Sequence, residues 1–407
     1  MSTGIFTTVN LTTDLARKSF DAMITRLMPN GSAPLFGMTS MLSSETAVQI
    51  EHGFFTKTML FPQLTIGAGG QTATDTTFTV TSTTNVLPGM IMRVDSTGEN
   101  IIINSVLSAT QVQVTRAVGT VAAAIIAAAV ALYQVGNAYE ESSLRPQSLI
   151  INPVRITNYT QIFRNTWAIS DTIRATQMIA GETNISESRQ DCAAFHAADI
   201  EKALFFGQKS QGTRNGQPFR TMDGLINITG NLTYYPSYYA AANSNTAGST
   251  TNYTQFEGFL DPCFNQATDP KVANERVLFV GGTAKRVINN IGRLNGTYYM
   301  VDGQTSWGLQ FSTIKTARGQ FRVIEHPLFN SNSSWSKMAV AVDLTTFRIA
   351  YLGDRKTQNK EFNAEMGAAD DNGIDAVGGT LTTEMTTVVK NPPANSIIFN
   401  LTAAAAG

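Results

Sequence analysis

The chain has 407 residues and 43% hydrophobic content, which is enough for two or three domains of roughly 150 residues with real cores. Only 14% of the residues are charged, and 29 basic side chains stand against 30 acidic ones, which excludes a strongly basic nucleic-acid-binding protein. Thr, Ser, Asn and Gln must supply the polar surface, and weakly charged chains of this kind are typically β-rich and covered by partner subunits.

The N-terminal stretch, residues 1 to about 40, predicts an extended arm with one short helix over 16–27 that Pro29 ends. A terminal arm of this length cannot bury itself on its own core, so we expect it to lie on a neighbouring molecule or to be disordered. Short β-like runs follow over 45–66, and the Gly/Thr-rich stretch 67–77 is interpreted as a hinge.

A compact β pattern occupies about 72–138. It contains four strand patterns bounded by turn residues, at 78–82, 90–95, 100–108 and 110–118. The uncharged, alanine-rich run 121–133 follows, and it is shorter than the about 20 apolar residues that a membrane span needs. For this run we expect a helical turn at 122–128 and then a strand through 131–135.

The clearest helix of the chain is predicted over 185–206. Asn184 is the candidate N-cap, Glu187 completes a capping box, and Gly207 is the expected C-terminal stop. The pattern predicts one face from Cys192, Phe195, Ala203 and Leu204, with His196 and Ile200 beside it.

The C-terminal half alternates apolar strands with few helices. Apolar segments predict strands at 276–282, 337–344 and 347–353. The first of them runs into a helix over 283–295, and a hairpin turns about Ala317. The tail 380–402 is extended and interrupted by Pro392 and Pro393. One long helix, few others and many strands make the fold class α+β.

The chain has no established catalytic motif: it lacks a phosphate-binding P-loop, an HExxH zinc motif, a GxSxG nucleophile elbow and an EF-hand pattern. His52, His196 and His326 stand alone, and His196 is interpreted as a hydrogen-bonded core histidine. Cys192 and Cys263 form no CxxC pair and are interpreted as buried free thiols. We therefore expect no catalytic residue, no cofactor and no bound metal.

Two polar features leave alternatives open. Glu140 and Glu141 form a tight acidic pair in an exposed turn, where pairing with a basic residue of another subunit is favoured over acid–base catalysis. Lys285 and Arg286 follow a glycine-rich strand-to-helix junction, where free N–H groups either hold an anion or cap the helix.

A set of short motifs is distributed along most of the chain, about 40–400. These are Gly98-Glu99, Thr115-Arg116, Gly136-Asn-Ala-Tyr-Glu-Glu141, Asn158-Tyr-Thr-Gln-Ile-Phe163, Asp199-Ile-Glu-Lys-Ala-Leu-Phe-Phe-Gly207 and Arg220-Thr-Met-Asp-Gly-Leu225. Their order and spacing, with the predicted elements, resemble the major capsid proteins of tailed bacteriophages with the HK97 fold. The resemblance is to a group that carries an inserted module beside the extended loop.

The resemblance implies an α+β, HK97-like fold with a small inserted β-rich domain. The implied divisions are an N-terminal arm 1–44, the first arm of the extended loop 45–71, an inserted β-module 72–138, the return arm 139–160, a peripheral domain 161–225 with the spine helix 185–206, an axial domain 226–345, and a return to the peripheral domain with C-terminal strands 346–407. In this scheme the tail strand 395–401 closes the peripheral sheet.

The resemblance also implies a structural subunit, not an enzyme, that self-assembles in the host cytoplasm into the icosahedral head of a virion around double-stranded DNA. Its partners would be hexamers and pentamers of itself, DNA held non-specifically, and scaffolding, portal or decoration proteins, with no membrane. The expected intersubunit contacts are Arg17, Phe20, Phe54, Phe55, Lys57, Glu140 and Glu141. Two other interpretations stay open: an encapsulin-like compartment shell, and a β-rich phage tail protein or surface adhesin.

Overall fold

The computed structural model describes residues 33–57, 62–150, 152–176, 184–235, 239, 241–265, 274–295, 301–306, 309–362 and 375–405. The chain divides into two compact units. The main unit combines Met1–Phe54, Ile156–Tyr235 and Ala241–Gly407, and the inserted unit combines Phe55–Arg155 with Pro236–Ala240. The inserted unit is therefore wider than the β pattern read from the sequence at 72–138.

The described α-helices are α1 (Pro34–Met41), α2 (Asp171–Ala175), α3 (Asn184–Phe206), α4 (Leu225–Gly230), α5 (Tyr253–Leu260) and α6 (Gly282–Asn295). The described strands are β1 (Glu45–Ala47), β2 (Glu51–Thr56), β3 (Gln63–Thr65), β4 (Thr77–Thr79), β5 (Met90–Val94), β6 (Asn100–Ser108), β7 (Gln111–Thr115), β8 (Ala131–Asn137), β9 (Val154–Tyr159), β10 (Gln161–Ser170), β11 (Ser210–Arg214), β12 (Gln217–Thr221), β13 (Ser244–Thr246), β14 (Glu275–Val280), β15 (Val301–Ser306), β16 (Leu309–Lys315), β17 (Gln320–Glu325), β18 (Ala339–Val342), β19 (Phe347–Leu352), β20 (Gln358–Phe362), β21 (Ala376–Val389) and β22 (Ser396–Phe399). Several segments are 3₁₀ turns, including Pro392–Ala394, where the two prolines interrupt the tail.

The inserted unit is a six-stranded antiparallel sheet in the order β3-β8-β5-β6-β7-β4. A bridge between Ile66 and Val80 joins the two outer strands, so the sheet closes on itself and leaves no free edge there. Alternation buries one side of each strand; in β7, for example, Val112 and Val114 are buried between exposed polar residues. The predicted strand patterns are confirmed as β4 to β7.

The alanine-rich run has a different conformation from the one expected at its start. The predicted helical turn at 122–128 is wrong, because Ile126 instead forms a β-bridge with Gln71 and is fully buried. A turn with Ala129 at positive φ (61°) follows. The predicted strand is confirmed and continues as β8 to Asn137. None of the helices in the described ranges is long and apolar enough to cross a membrane.

The first layer of the main unit is a five-stranded sheet with the order β1-β19-β21-β10 and β20 on β21. β10 and β21 pair in antiparallel fashion from Gln161↔Met385 to Ser170↔Ala376. The long helix α3 packs against this pair and confirms the helix predicted over 185–206. Its buried stripe is His196, Ile200 and Leu204, at the i, i+4 spacing of one helix face.

One residue assigned to the buried face of α3 lies elsewhere. Phe195 is 50% exposed, so its placement beside Cys192 and Leu204 on that face is wrong. Phe195 lies about 100° before His196 around the helix, whereas the buried face extends in the other direction, to Glu201 and Phe205.

The second layer is a seven-stranded sheet in the order β13-β22-β18-β14-β17-β16-β15. β14 lies parallel to β17 and antiparallel to β18, and every residue of β14 after Glu275 is buried, including Arg276, which fits the continuous apolar run from Val277 to Val280. The tail strand expected to close the peripheral sheet joins this second sheet instead: β22 pairs with β18 and β13. The predicted strand–helix pair is confirmed as β14 and α6, and the hairpin as β16–β17.

The last part of the predicted arm is built into the main unit. Leu35 and Met38 of α1 are buried in the same core cluster as Ile200 of α3 and Phe347 of β19. The expectation that the chain before residue 44 cannot bury itself on its own core is therefore wrong for α1. The helix predicted over 16–27 lies outside the described residues.

Candidate functional site

The histidines of the main unit have structural partners. The ring nitrogens of buried His196 lie 2.7 Å from Asn165 Oδ1 and 2.8 Å from Thr383 Oγ1. Burial lowers the pKa of His196, so the neutral ring is favoured. This confirms the interpretation of His196 as a hydrogen-bonded core histidine, and it leaves no ring nitrogen free for proton transfer.

The N-terminal end of α1 is held by a fully buried carboxylate. Glu201 of α3 accepts hydrogen bonds from the backbone N–H groups of Leu35 at 2.8 Å and Phe36 at 2.7 Å. Its Oε1 also lies 2.7 Å from Nε2 of His326, which is fully buried too. Glu201 therefore satisfies two N–H groups that the start of a helix leaves unpaired, and it ties the start of α1 to α3.

The two cysteine thiols are buried and unreactive. Both Cys192 and Cys263 are buried and free, as predicted. Burial raises the pKa of Cys192, and it raises the pKa of Cys263 to about 12, so neither thiol forms a thiolate readily at neutral pH. Across the part of the chain that the structure describes, no group of three or more His, Cys, Asp or Glu side chains is placed to hold a metal ion.

The strand-to-helix junction at α6 matches the capping alternative. The backbone N–H of Gly282 donates to Asn330 Oδ1 at 2.7 Å, and Lys285 Nζ lies 3.1 Å from Glu325 Oε2. A side-chain oxygen and a carboxylate thus already occupy the place where an anion would sit.

The most distinctive surface of the inserted unit is an uncovered segment, residues 137–155, which we call the exposed loop. Every described residue in it is exposed. Several of its exposed side chains are apolar: Leu144 is 92% exposed, Ile150 71% and Val154 41%. A turn closed by a hydrogen bond from Ser143 N–H to the Glu140 carbonyl oxygen holds Glu140 and Glu141, both exposed. Removing this apolar surface from water would lower the free energy, so the segment is stabilised when another surface covers it.

Strands β2 and β9 pair with each other in a separate two-stranded sheet. The strands approach closely at Gly53, where a Cβ atom would lie 2.7 Å from Thr157 Cγ2, so only glycine fits there. Phe54 is half-buried against Ala47 and its neighbours Ala350 and Val388 in the same chain. Phe55 points the other way and is 68% exposed.

The residues predicted as contacts fall into three groups. Arg17 and Phe20 lie outside the described residues. Phe54 packs partly against its own main unit, so Phe55 is the exposed aromatic residue of the pair. Lys57, Glu140 and Glu141 are exposed in the inserted unit, as an intermolecular contact requires.

The most exposed apolar residues were missed by sequence reasoning. Leu144 and Ile150 stand in a segment with neither helical nor strand periodicity, and Val48, which is 84% exposed, lies in a main-unit turn before β2. The available signal was apolar side chains in a stretch that no periodic pattern turns towards a core.

Comparison with known proteins identifies the family. A family model described as the SU10 major capsid protein matches residues 2–402. A major capsid protein of Pseudomonas phage PaMx41 is 37% identical over 410 residues, covering 98% of this chain and 96% of that protein. Two solved structures are also similar. A chain from Mycobacterium phage Cain has 8% identity and a TM-score of 0.46, covering 99% of this chain and 100% of its own. The capsid of a native GTA particle has 11% identity and a TM-score of 0.46, covering 98% of each chain.

The matches of the family model and of the PaMx41 protein extend over nearly the whole chain, so they include the inserted unit and both sheets of the main unit. The structure has the pair β2 and β9, a closed β-unit inserted between them in sequence, one long helix and two sheets, and this is the order of elements that the resemblance in the sequence implied for an α+β, HK97-like capsid fold. The chain therefore belongs to the SU10 major capsid protein family and is a structural shell subunit of a phage capsid.

Proposed function

We propose that this capsid protein forms the icosahedral head around double-stranded DNA by laying its exposed loop on a neighbouring copy of itself. The observation that carries the proposal is the unbroken exposure of the described residues from 137 to 155, with Leu144 92% exposed. Fully burying a side chain such as Leu or Ile contributes about 1.5 to 3 kcal/mol. Repeated over every contact of a shell, a few such residues supply a large part of the assembly free energy.

The same proposal assigns roles to the parts of the chain. The five-stranded sheet with α3 is the peripheral domain, the seven-stranded sheet with α5 and α6 is the axial domain, and β2 with β9 is the base of the extended loop. The acidic turn Glu140–Glu141 pairs with basic side chains of the neighbour. The chain has no catalytic role, which is consistent with the internal hydrogen bonds of His196 and His326.

Assembly of purified protein tests this function. Wild-type chain should sediment as large shells and show closed particles by negative-stain electron microscopy. Leu144→Asp with Ile150→Asp should stay as small oligomers, because two charges would have to be buried in each contact. The matched control is Leu107→Asp with Ile125→Asp, which changes two residues of the same unit that are 54% and 76% exposed but outside the loop.

Three results would contradict the proposal. The first is a wild-type chain that remains monomeric at high concentration. The second is normal shells from the loop variant, and the third is equal loss of shells in both double variants. An encapsulin-like shell would assemble in the same way but contain no nuclease-protected DNA when isolated from infected cells. Shells filled with DNA favour the phage head.

A further inference from the structure

Helix α6 of the main unit has an unusual charge pattern. Its fourteen residues, GTAKRVINNIGRLN, include Lys285, Arg286 and Arg293 but no acidic residue. The opposite face anchors the helix, because Ala284, Val287, Ile288 and Ile291 are buried in the core. Lys285 is paired with Glu325. Arg286 and Arg293 are exposed, and among the described residues neither forms an ion pair.

A groove of about 640 Å³ runs between this face of α6 and the chain after β22. Its lining includes Arg286, Asn290, Arg293, Leu294, Thr402 and Ala403, and it contains no carboxylate. The Thr402 hydroxyl already donates to the carbonyl oxygen of Ser249 at 3.0 Å. Two guanidinium groups and one amide are therefore the donors that the groove offers to a bound molecule.

The spacing of these donors suits an extended polyanion. Arg286, Asn290 and Arg293 follow at i, i+4 and i+7, so they lie on one side of the helix. At 1.5 Å per residue the two arginine Cα atoms are about 10.5 Å apart. Each strand of duplex DNA carries one phosphate about every 3.4 Å, so phosphates a few nucleotides apart match this separation.

The groove is poorly suited to an added peptide strand. The chain that forms its second wall is already paired, because Thr251 N–H donates to the Ala403 carbonyl oxygen and Ala405 N–H donates to that of Thr251, both at 2.9 Å. Its apolar lining is small, since the exposed part comes mainly from Leu294 and the alanines. Arginine and asparagine are, in contrast, common phosphate ligands.

We propose that this groove of α6 is a sequence-independent contact for the phosphate backbone of DNA. The inference rests on the proposed function, because it assumes a shell that encloses DNA, and it adds the surface by which each subunit touches that DNA. One consequence is that α6 lies on the DNA-facing side of the shell. The contact uses charge and hydrogen bonds to phosphate only, so it is compatible with the near-zero net charge of the whole chain.

The test uses unassembled full-length chain and a fluorescent 30-base-pair duplex of random sequence, followed by anisotropy between 50 and 200 mM salt. Arg286→Gln with Arg293→Gln should reduce the slope of log K against log salt by roughly 1.8, since each neutralised phosphate contributes about 0.9. The control, Arg93→Gln with Arg214→Gln, removes the same charge from two exposed arginines outside α6 and should leave the slope unchanged. Thermal unfolding of both double variants checks that they fold.

An unchanged slope in the α6 variant, or equal losses in the two double variants, would overturn the inference. Binding of polyglutamate but not of the duplex to the wild-type chain would also overturn it, in favour of an acidic protein partner. The assembly of shells and the amount of DNA that they protect distinguish a failure of this inference from a failure of the proposed function. If the α6 variant assembles normally but protects less DNA, both stand; if it protects as much DNA as wild type, the inference fails alone. If the wild-type chain forms no shells, the proposed function fails.

Discussion

Replacing Arg116 by methionine should make the barrel of the inserted unit, which is its closed six-stranded sheet, much easier to unfold. Arg116 is 6% exposed and faces Glu99, whose side chain is fully buried. Its Nε and Nη2 donate to the two carboxylate oxygens at 3.0 and 2.7 Å, and Nη2 also donates to the Ala124 carbonyl oxygen at 2.6 Å. Nη1 reaches the carbonyl oxygen of Thr72. One side chain thus ties the residue before β6 and the residue after β7 to the segment that precedes β4 and to the alanine-rich run.

The expected loss of stability follows from the Glu99 carboxylate, which methionine would leave buried without its partner. A carboxylate that stays buried after its partner is removed costs about 3 to 5 kcal/mol. Arg116→Met with Glu99→Gln removes the stranded charge, so the double variant should recover part of that loss. Arg93→Met is the matched control, since Arg93 is exposed on β5 of the same unit, and it should change stability by less than about 0.5 kcal/mol.

Hydrogen exchange followed by mass spectrometry reports on the barrel separately from the main unit. Because 1.4 kcal/mol is a factor of ten, amides of β5 to β8 should lose about 100- to 4,000-fold protection in Arg116→Met. Amides of β14 and β18 should not change. Protection within threefold of wild type, or a double variant less stable than the single one, would refute this reasoning.

The same pair predicts an acid-sensitive barrel. Burial alone would raise the pKa of Glu99, but the hydrogen bonds and charge of Arg116 outweigh it and hold the pKa below its ordinary value of 4.5. The pair therefore stabilises the folded barrel fully above pH 4.5, and that contribution is lost as the pH falls through the lowered pKa. Hydrogen exchange of barrel amides at pH 3 and pH 6, corrected for intrinsic rates, measures this contribution of the pair. Equal barrel stability at both pH values would contradict the prediction.

Three further predictions concern single residues. Cys192 and Cys263 should not react with a thiol reagent at pH 8 until denaturant is added, whereas stoichiometric labelling of native protein would contradict their burial. Glu201→Ala leaves the N–H groups of α1 and His326 unpaired and should cost about 2 to 4 kcal/mol by urea unfolding, against under 1 kcal/mol if the contact is incidental. Gly89→Ala should destabilise the barrel, because φ is +85° and the new Cβ would lie 2.4 Å from the Tyr139 ring; an unchanged melting temperature would refute it.

Local patterns predicted most of the elements. The alternation in 100–108 and 110–118, the capped helical run ending at Gly207, and the apolar strand β14 are each determined by neighbouring residues, so periodicity was sufficient. Phe195 was misplaced because several apolar residues of α3 lie off its buried stripe, and only contact with β10 and β21 decides which side is covered.

Long-range pairing explains what the sequence could not show. Alanine favours a helix, yet Ile126 is held in a β-bridge by Gln71, a residue far away in sequence. β22 is an apolar strand that fits either sheet, and its partner β18 is known only from the fold. The contact of Glu201 with α1 could not be predicted from the sequence, because a carboxylate that caps a helix from another element leaves no local motif.

The central claim is that the exposed loop of one subunit is covered by another. Leu144→Cys tests it directly, because Cys192 and Cys263 are buried and the new thiol would be the reactive one. We predict rapid maleimide labelling of Cys introduced at this position in unassembled subunits and at least tenfold slower labelling in intact shells. Equal labelling rates in subunits and shells would contradict the account.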